Sequence, residues 1–183
     1  ARAILQGLGL LKENDVSGVR IQPVDIYGDA PSASTFQLVQ GLLDVLEGGA
    51  DVVNMSLGSD AGIQLLQRMI AEASAKCVIF LAAAGNEPTT APTFPAAYSE
   101  VTAVTALDRN GQIAPYANRG NFVDVGAPGA VVFPFNGQSH VTMGTSPATA
   151  WASGLAGNLL ASGQDPCTVA AKLRSMLAVP PQY

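Results

Sequence analysis

The feature that most constrains the fold is a regular alternation between short apolar runs and longer segments with apolar residues at helical spacing. The run Cys77–Ala84 is almost purely apolar, which is typical of a parallel strand covered on both faces. Further strands are predicted at Val19–Tyr27, Asp51–Leu57, Val101–Leu107 and Phe122–Val125. The alternation predicts one α/β domain over residues 1–183, with a mostly parallel sheet flanked by helices on both faces.

Five helices are predicted before, between and after these strands. They are residues 3–12, Phe36–Leu46, Ile63–Ala75, about 147–161 and Asp165–Leu177. The last has a clear start, since Asp165 is a favoured N-cap and Pro166 suits the first helical position. Residues 87–97 hold three prolines and are predicted to form a loop.

Composition excludes several classes of protein. With 48% apolar and 13% charged residues, the chain is too apolar and too weakly charged to be disordered. Its net charge of −5 argues against nucleic-acid or anionic-membrane partners. The longest apolar run, residues 77–85, is about half of the ~18 residues needed to span a bilayer. No signal-peptide pattern opens the chain, and the missing initiator Met predicts that it begins partway through a longer protein.

The two cysteines are too few for a disulfide scaffold or a structural zinc site. Cys77 begins an apolar run, so we predict a buried thiol there, with a bridge to Cys167 as the alternative. The acidic residues show no calcium-ligand spacing. We therefore expect neither a metal nor a cofactor.

The first candidate for chemistry is Gly144-Thr145-Ser146-Pro147-Ala148, which opens an apolar helix rich in small residues. A serine there lies near free backbone N–H groups and in the positive field of the helix N-terminus. That position suits a nucleophile whose attack creates an oxyanion. The structural alternative is that Ser146 is an N-cap followed by proline at the first helical position.

Two further segments follow predicted strands, at the sheet edge where ligands bind in open α/β folds. Asn86 follows Ala83-Ala84-Gly85, and its amide suits a donor to an oxyanion, although Gly-Asn is also ordinary turn chemistry. Asn54-Met55-Ser56-Leu57-Gly58 ends a strand and suits pairing with an extended peptide.

Taken together and in this order, these segments resemble the subtilisin-like serine proteases. The resemblance runs from about Val19 to the end of the chain. It rests on five segments: Asp51–Gly58, Ala83–Asn86, Phe94–Ala96, Val123–Gly129 and Gly144–Ser146. It implies a three-layer subtilisin-like fold and hydrolysis of polypeptide substrates through an acyl-enzyme. It also implies a secreted or periplasmic location.

The resemblance also assigns roles to individual residues. Ser146 would be the nucleophile, and its backbone N–H together with the Asn86 amide would form the oxyanion hole. The substrate-binding residues would be Ser56, Leu57 and Gly58 along the peptide backbone, and Ala83, Ala84 and Gly85 around a specificity pocket with room for a large apolar side chain.

The resemblance implies that the residues that would activate Ser146 lie upstream of residue 1. In this family the chain order is Asp, His, Ser, and both partners would lie upstream of residue 1. The only histidine, His140, is predicted to be a surface loop residue, and no spacing argument supports Asp25 or Asp29 as the acid. The family's central, Asp-bearing strand would also be missing. We therefore expect the chain alone to be inactive, and to require its missing N-terminal segment, a second copy or a rearranged sheet.

The serine motif departs from the family's Gly-Thr-Ser-Met-Ala-x-Pro. Pro147 replaces the Met, Ala150 replaces the Pro, and Trp151 stands where a His is common. Since a residue before proline avoids helical dihedrals, Pro147 is predicted to displace Ser146. This motivates one alternative, a catalytically dead relative that binds extended peptides. A second alternative, a nucleotide-binding domain with Gly7-Leu8-Gly9 as its phosphate loop, lacks the third glycine and a preceding strand.

Overall fold

The computed structural model describes residues 19–180, so the predicted helix 3–12 and the Gly7-Leu8-Gly9 loop lie outside the described residues. The helices are α1 (Thr35–Glu47), α2 (Gln64–Ser74), α3 (Thr145–Ala161) and α4 (Pro166–Met176). The strands are β1 (Val52–Met55), β2 (Ile79–Ala83), β3 (Val101–Leu107), β4 (Val125–Pro128), β5 (Ala130–Phe135) and β6 (Gln138–Met143).

The main sheet is parallel throughout, with strand order β1-β2-β3-β4. Its register pairs Val53 with Phe80 and Ala83 with Val104. Every residue of β2 is buried, as its purely apolar sequence predicts for a strand covered on both faces. The predicted α/β class is confirmed.

Alternate residues of the central strands pack into two separate cores, one on each face. Ile79 and Leu81 of β2 point toward α3 and α4, where they meet small helix residues such as Ala152. Phe80 and Ala82 point to the other face, where α1 and α2 pack. The sheet therefore forms the middle of three layers, and the small residues of α3 allow that helix to approach the strands closely.

The predicted strand at Val19–Tyr27 is not formed. Among the described residues it has no strand beside it to pair its backbone groups, and β1 is the edge of the sheet. Side chains hold the segment instead: Arg20 donates to the Gly48 carbonyl (2.6 Å) and Gln22 to the Asp44 carbonyl (3.4 Å). An extended sequence pattern becomes a strand only where a partner strand is present.

The strand predicted at Phe122–Val125 begins later, at Val125. Asp124 explains the shift: its backbone N–H donates to the Ala103 carbonyl (3.0 Å), and its carboxylate accepts from the Ala103 N–H (2.9 Å) and from Arg174 (3.0 Å). The strand then continues through Pro128. Proline is tolerated because β4 is an edge strand of the main sheet, where the missing N–H needs no partner.

Sequence reasoning missed the antiparallel hairpin of β5 and β6. Its turn is Asn136-Gly137, with φ of 49° and 74°, which is the standard signal for a two-residue hairpin turn. His140 therefore lies on a strand, and the loop prediction was wrong. It is exposed, and its ring centroid lies 5.8 Å from that of Phe133 and 5.9 Å from that of Phe135.

The preference for a buried Cys77 thiol was also wrong, because Cys77 and Cys167 form a disulfide across a separation of 90 residues. Cys77 has a positive φ of 67° in the turn between α2 and β2, and this brings its Cα to 4.7 Å from that of Cys167. The bond ties the start of β2 to the first turn of α4. Such proximity between distant positions is a tertiary property that cysteine spacing does not reveal.

No helix within residues 19–180 is long and apolar enough to cross a membrane.

Candidate active site

Three of the predicted segments meet where the carboxyl ends of β1 and β2 approach the N-terminus of α3. Ser56 directly follows β1, Asn86 follows β2, and Ser146 lies in the first turn of α3. Parallel strands bring their carboxyl ends to one edge of a sheet, which is where ligands bind in such folds. The chain folds residues 54–58, 83–86 and 144–146 into one site.

Ser146 is the second residue of α3 and is half-buried. The N-cap is Gly144, with φ of 152°, so the alternative of Ser146 as N-cap was wrong. The predicted displacement of Ser146 by Pro147 was wrong too, since both residues lie inside the helix. Pro147 falls within the first turn, where backbone N–H groups have no intrahelical acceptor and a missing one costs little.

Asn86 caps this helix from a distance. Its Oδ1 accepts the Thr145 backbone N–H at 2.9 Å, and the preceding Gly85 N–H donates to Thr145 Oγ1 at 3.1 Å. The amide is thereby fixed with its oxygen toward the helix. Its Nδ2 has no acceptor among the described residues and stands beside the first turn of α3, where a hydrogen-bond donor stabilises a developing negative charge.

Ser56 contacts the same helix turn from the β1 side. Its Oγ donates to the Ser146 carbonyl at 3.3 Å and accepts from Asn54 Nδ2 at 3.1 Å. The Ser153 hydroxyl, seven residues after Ser146 in α3, lies 3.2 Å from Asn54 Oδ1. A short row of polar side chains therefore joins the end of β1 to the helix that carries Ser146.

The remaining substrate-binding candidates lie beside this row. Leu57 is half-buried and Gly58 is exposed, and a Cβ at Gly58 would lie 2.7 Å from Thr93 Cγ2. Ala83 and Ala84 are buried, and Gly85 is half-buried with φ of 109°. Their assignment to a specificity pocket stays a prediction.

Asn118 is a site residue that sequence reasoning missed. It is 2% exposed, and it hydrogen-bonds to Ala84, Gly85 and Glu87 on both sides of Asn86. In the sequence Asn118 is an isolated asparagine in an irregular stretch, and such a residue is normally interpreted as part of a turn.

Tyr116 and Asp25 have shifted pKa values. Burial raises the pKa of the Tyr116 phenol, which donates to the Gly129 carbonyl at 3.2 Å. The backbone N–H groups of Tyr27 and Gly28 lower the pKa of Asp25, whose carboxylate therefore closes a local turn. Among residues 19–180, no three His, Cys, Asp or Glu side chains are clustered as metal ligands would be.

A groove of about 830 Å³ lies beyond the edge of β1 that no described strand pairs. We call it the edge groove. One wall consists of residues between 19 and 27, the other of residues 49–57, and α3 contributes Ser153, Gly154 and Gly157. It reaches the substrate-binding candidates, because Ser56 and Leu57 line it.

Comparisons with known proteins agree on one family. A profile described as the "Subtilase family" matches residues 10–177. Thermitase of Thermoactinomyces vulgaris is 31% identical over 157 residues, which cover 85% of this chain and 56% of thermitase. Alkaline elastase YaB of Bacillus sp. (strain YaB) is 35% identical over 152 residues, 81% of this chain and 39% of the elastase.

A solved structure is similar as well. The prenylagaramide maturation protease PagA superimposes with a TM-score of 0.69 and 26% identity, over 76% of this chain and 56% of that one. The chain thus spans about half the length of these relatives. Over the matched part of the chain, the sequence matches and the structural match both point to proteases.

Proposed function

Because this chain belongs to the subtilase family, we propose that it supplies the nucleophile, oxyanion hole and peptide-binding edge of a serine endopeptidase. Ser146 is the nucleophile, and its backbone N–H and Asn86 Nδ2 are the two oxyanion donors. The observation that carries the proposal is the bond between Asn86 Oδ1 and the Thr145 N–H (2.9 Å). It fixes the amide one residue from Ser146, with the donor group left for a ligand.

In the proposed reaction, Ser146 Oγ attacks the carbonyl carbon of a peptide bond while a general base takes the hydroxyl proton. The carbonyl oxygen becomes an oxyanion that accepts from Asn86 Nδ2 and the Ser146 N–H. The base then donates this proton to the leaving amine, so that the C–N bond breaks and an acyl-enzyme remains. Water, deprotonated by the same base, then attacks the ester and releases Ser146.

The substrate is an extended polypeptide. Residues Ser56, Leu57 and Gly58 pair with its backbone on one side, and Ala83, Ala84 and Gly85 with the side chain before the scissile bond on the other. Support comes from their position, since both segments follow neighbouring parallel strands and end beside Ser146. An exposed strand end offers the unpaired N–H and C=O groups that recognition of an extended peptide needs.

The general base and its orienting acid come from outside the described residues. His140 is the only histidine in the sequence, and its ring stacks on Phe133 in the hairpin. We propose that a strand in the edge groove brings the base and acid, and that this strand is the segment that precedes the chain within its own domain. The groove supports this proposal, because it lies at the edge of β1 that no described strand pairs, between residues of α1 and α3, and Ser56 lines it.

We also propose a secreted or periplasmic location. The Cys77–Cys167 disulfide supports it, because disulfides persist in oxidising compartments and are rare in the cytosol.

Fluorophosphonate labelling, measured by intact mass, tests the proposed reaction. The protein is produced with its native upstream sequence, and Ser146→Ala is compared with Ser56→Ala, a second serine in the same site that is not the nucleophile. We expect one label on the parent and on Ser56→Ala, and none on Ser146→Ala. A folded parent that takes no label would overturn the endopeptidase and favour the peptide-binding relative without catalysis.

The occupant of the edge groove is tested separately, by comparing residues 1–183 with the upstream-extended protein. We expect the extended protein to be monomeric and to unfold at a higher temperature. If residues 1–183 instead dimerise and the dimer unfolds at as high a temperature as the extended protein, the occupant is a second copy.

A further inference from the structure

Asn118 directs its side-chain amide and its backbone N–H to one loop. Its Nδ2 donates to the Ala84 carbonyl at 2.8 Å and to Thr93 Oγ1 at 3.2 Å, and its Oδ1 accepts the Glu87 N–H at 2.8 Å. Its backbone N–H donates to the Gly85 carbonyl at 2.9 Å. A buried amide with every group satisfied fixes a single local conformation, because any rearrangement leaves a polar group unpaired.

The residue between these anchors is Asn86. Ala84 and Gly85 precede it, Glu87 follows it, and Asn118 holds all three. Gly85 is suited to this contact: its φ is 109°, and a Cβ there would lie 2.4 Å from Asn118 Nδ2. The glycine therefore allows the amide of Asn118 to lie directly against the loop backbone.

Asn118 is itself firmly placed. It is 2% exposed, and its carbonyl accepts from the buried Thr105 hydroxyl at 2.6 Å. Thr105 belongs to β3, in the middle of the sheet. A continuous path of hydrogen bonds runs from the rigid sheet through Asn118 to the backbone on both sides of Asn86.

We propose that Asn118 is the positioning residue for the oxyanion donor. It holds the backbone at Ala84 and Glu87 so that Asn86 Oδ1 meets the Thr145 N–H and Asn86 Nδ2 faces the oxyanion. This inference rests on the proposed function. Catalytic donors must be held to within about 0.5 Å, and an exposed side chain such as Asn86 does not achieve that alone.

Amide hydrogen exchange tests the positioning without requiring activity. In Asn118→Ala we expect exchange at the Glu87 N–H to accelerate at least tenfold, with faster exchange at Thr145 as well. The matched control is Tyr98→Phe, which removes another partly buried clamp, since the Tyr98 hydroxyl bonds to both the N–H and the carbonyl of Ile63. That control should accelerate Ile63 and leave Glu87 unchanged. Unchanged exchange at Glu87 in Asn118→Ala would overturn the proposal.

Kinetics on the upstream-extended protein supply the second readout. We expect Asn118→Ala to lower kcat at least tenfold with KM changed less than threefold, and to add less than twofold in an Asn86→Ala background. Equal losses in both backgrounds would show that Asn118 does not act through Asn86 and would overturn the proposal. An unlabelled parent would show failure of the proposed reaction, and the exchange result then stands by itself.

A second variant, Asn118→Asp, tests the proposal if Asn118→Ala does not fold. It keeps the acceptor for the Glu87 N–H and replaces the donor to the Ala84 carbonyl with a second acceptor. We expect protection at Glu87 to remain while kcat falls at least tenfold. A folded Asn118→Asp protein with parental kcat would overturn the proposal.

Discussion

The two sides of the candidate site are built very differently. On the β2 side, Asn86 accepts a hydrogen bond from Thr145 of α3, Asn118 bonds to the residues before and after Asn86, and β2 is fully buried. On the β1 side, no described strand pairs with the outer edge of β1, a groove of about 830 Å³ lies next to it, and the segment beyond is held by side chains such as Arg20.

This difference separates the two halves of the proposed chemistry. The side that would stabilise the oxyanion is held by described residues, because Asn86 bonds to Thr145 and its neighbours bond to Asn118. The side that would activate the nucleophile ends in an open groove. We infer that transition-state stabilisation is built into the described part of the domain, whereas proton transfer depends on what fills the groove.

The free energy of unfolding should fall far more when a side chain is truncated on the β2 side than at the edge groove. Leu81, fully buried in β2, should lose about 2–5 kcal/mol of unfolding free energy when replaced by alanine, because removal of buried methyl groups leaves a cavity. Ile26→Ala, at the groove wall, should lose less than about 1 kcal/mol. Urea denaturation of both variants measures this, and equal losses would show that the groove side is packed as tightly as the sheet.

Asn86→Ala should lower the turnover of the upstream-extended protein strongly. In subtilisin itself, loss of one such donor lowers kcat by about 10²–10³, and the same loss is expected here if Asn86 has that role. Stability should fall by only about 1 kcal/mol, because the Thr145 N–H loses its acceptor. Hydrolysis of a chromogenic peptide measures kcat, with Asn110→Ala in the exposed turn as the control. A less than threefold change would remove Asn86 from the mechanism.

The disulfide should stabilise the domain without affecting the site, because Cys77 lies at the opposite end of β2 from Asn86. Replacement of both Cys77 and Cys167 by serine should lower the unfolding free energy by about 2–4 kcal/mol, as loss of a cross-link across a long loop does. The parent in reducing buffer should match the double variant. Parental stability in the double variant, or a changed labelling rate at Ser146, would contradict this separation.

The smallest effect concerns pH. Burial raises the pKa of Tyr116 in the folded state, so the folded protein holds this proton more tightly than the unfolded chain. The resulting stabilisation is fully present below about pH 10, the ordinary tyrosine value, and is lost as pH rises through the folded-state pKa. Stability measured between pH 9 and 11 should therefore fall less steeply in Tyr116→Phe. Parallel curves for the two proteins would show that Tyr116 titrates alike in both states.

The sequence alone determined the layered fold. Apolar alternation predicted β1, β2 and β3 and all four described helices, because strand and helix periods are local properties of the chain. It also brought forward Ser56, Asn86 and Ser146, since each follows a strand or opens a helix. Asp165 as N-cap is confirmed too: its carboxylate accepts the Cys167 N–H at 3.0 Å.

Tertiary structure decided the rest. Whether Val19–Tyr27 becomes a strand depends on a partner strand, and whether Cys77 forms a bridge depends on where Cys167 lies 90 residues later. The start of α3 also depends on tertiary structure, because the distant Asn86 side chain accepts the N–H of Thr145. Asn118 gained its place beside Asn86 in the same way, through a loop that crosses back over the strand ends. Local pattern fixes which groups a segment offers, but hydrogen-bond partners far apart in sequence are chosen only when the chain packs.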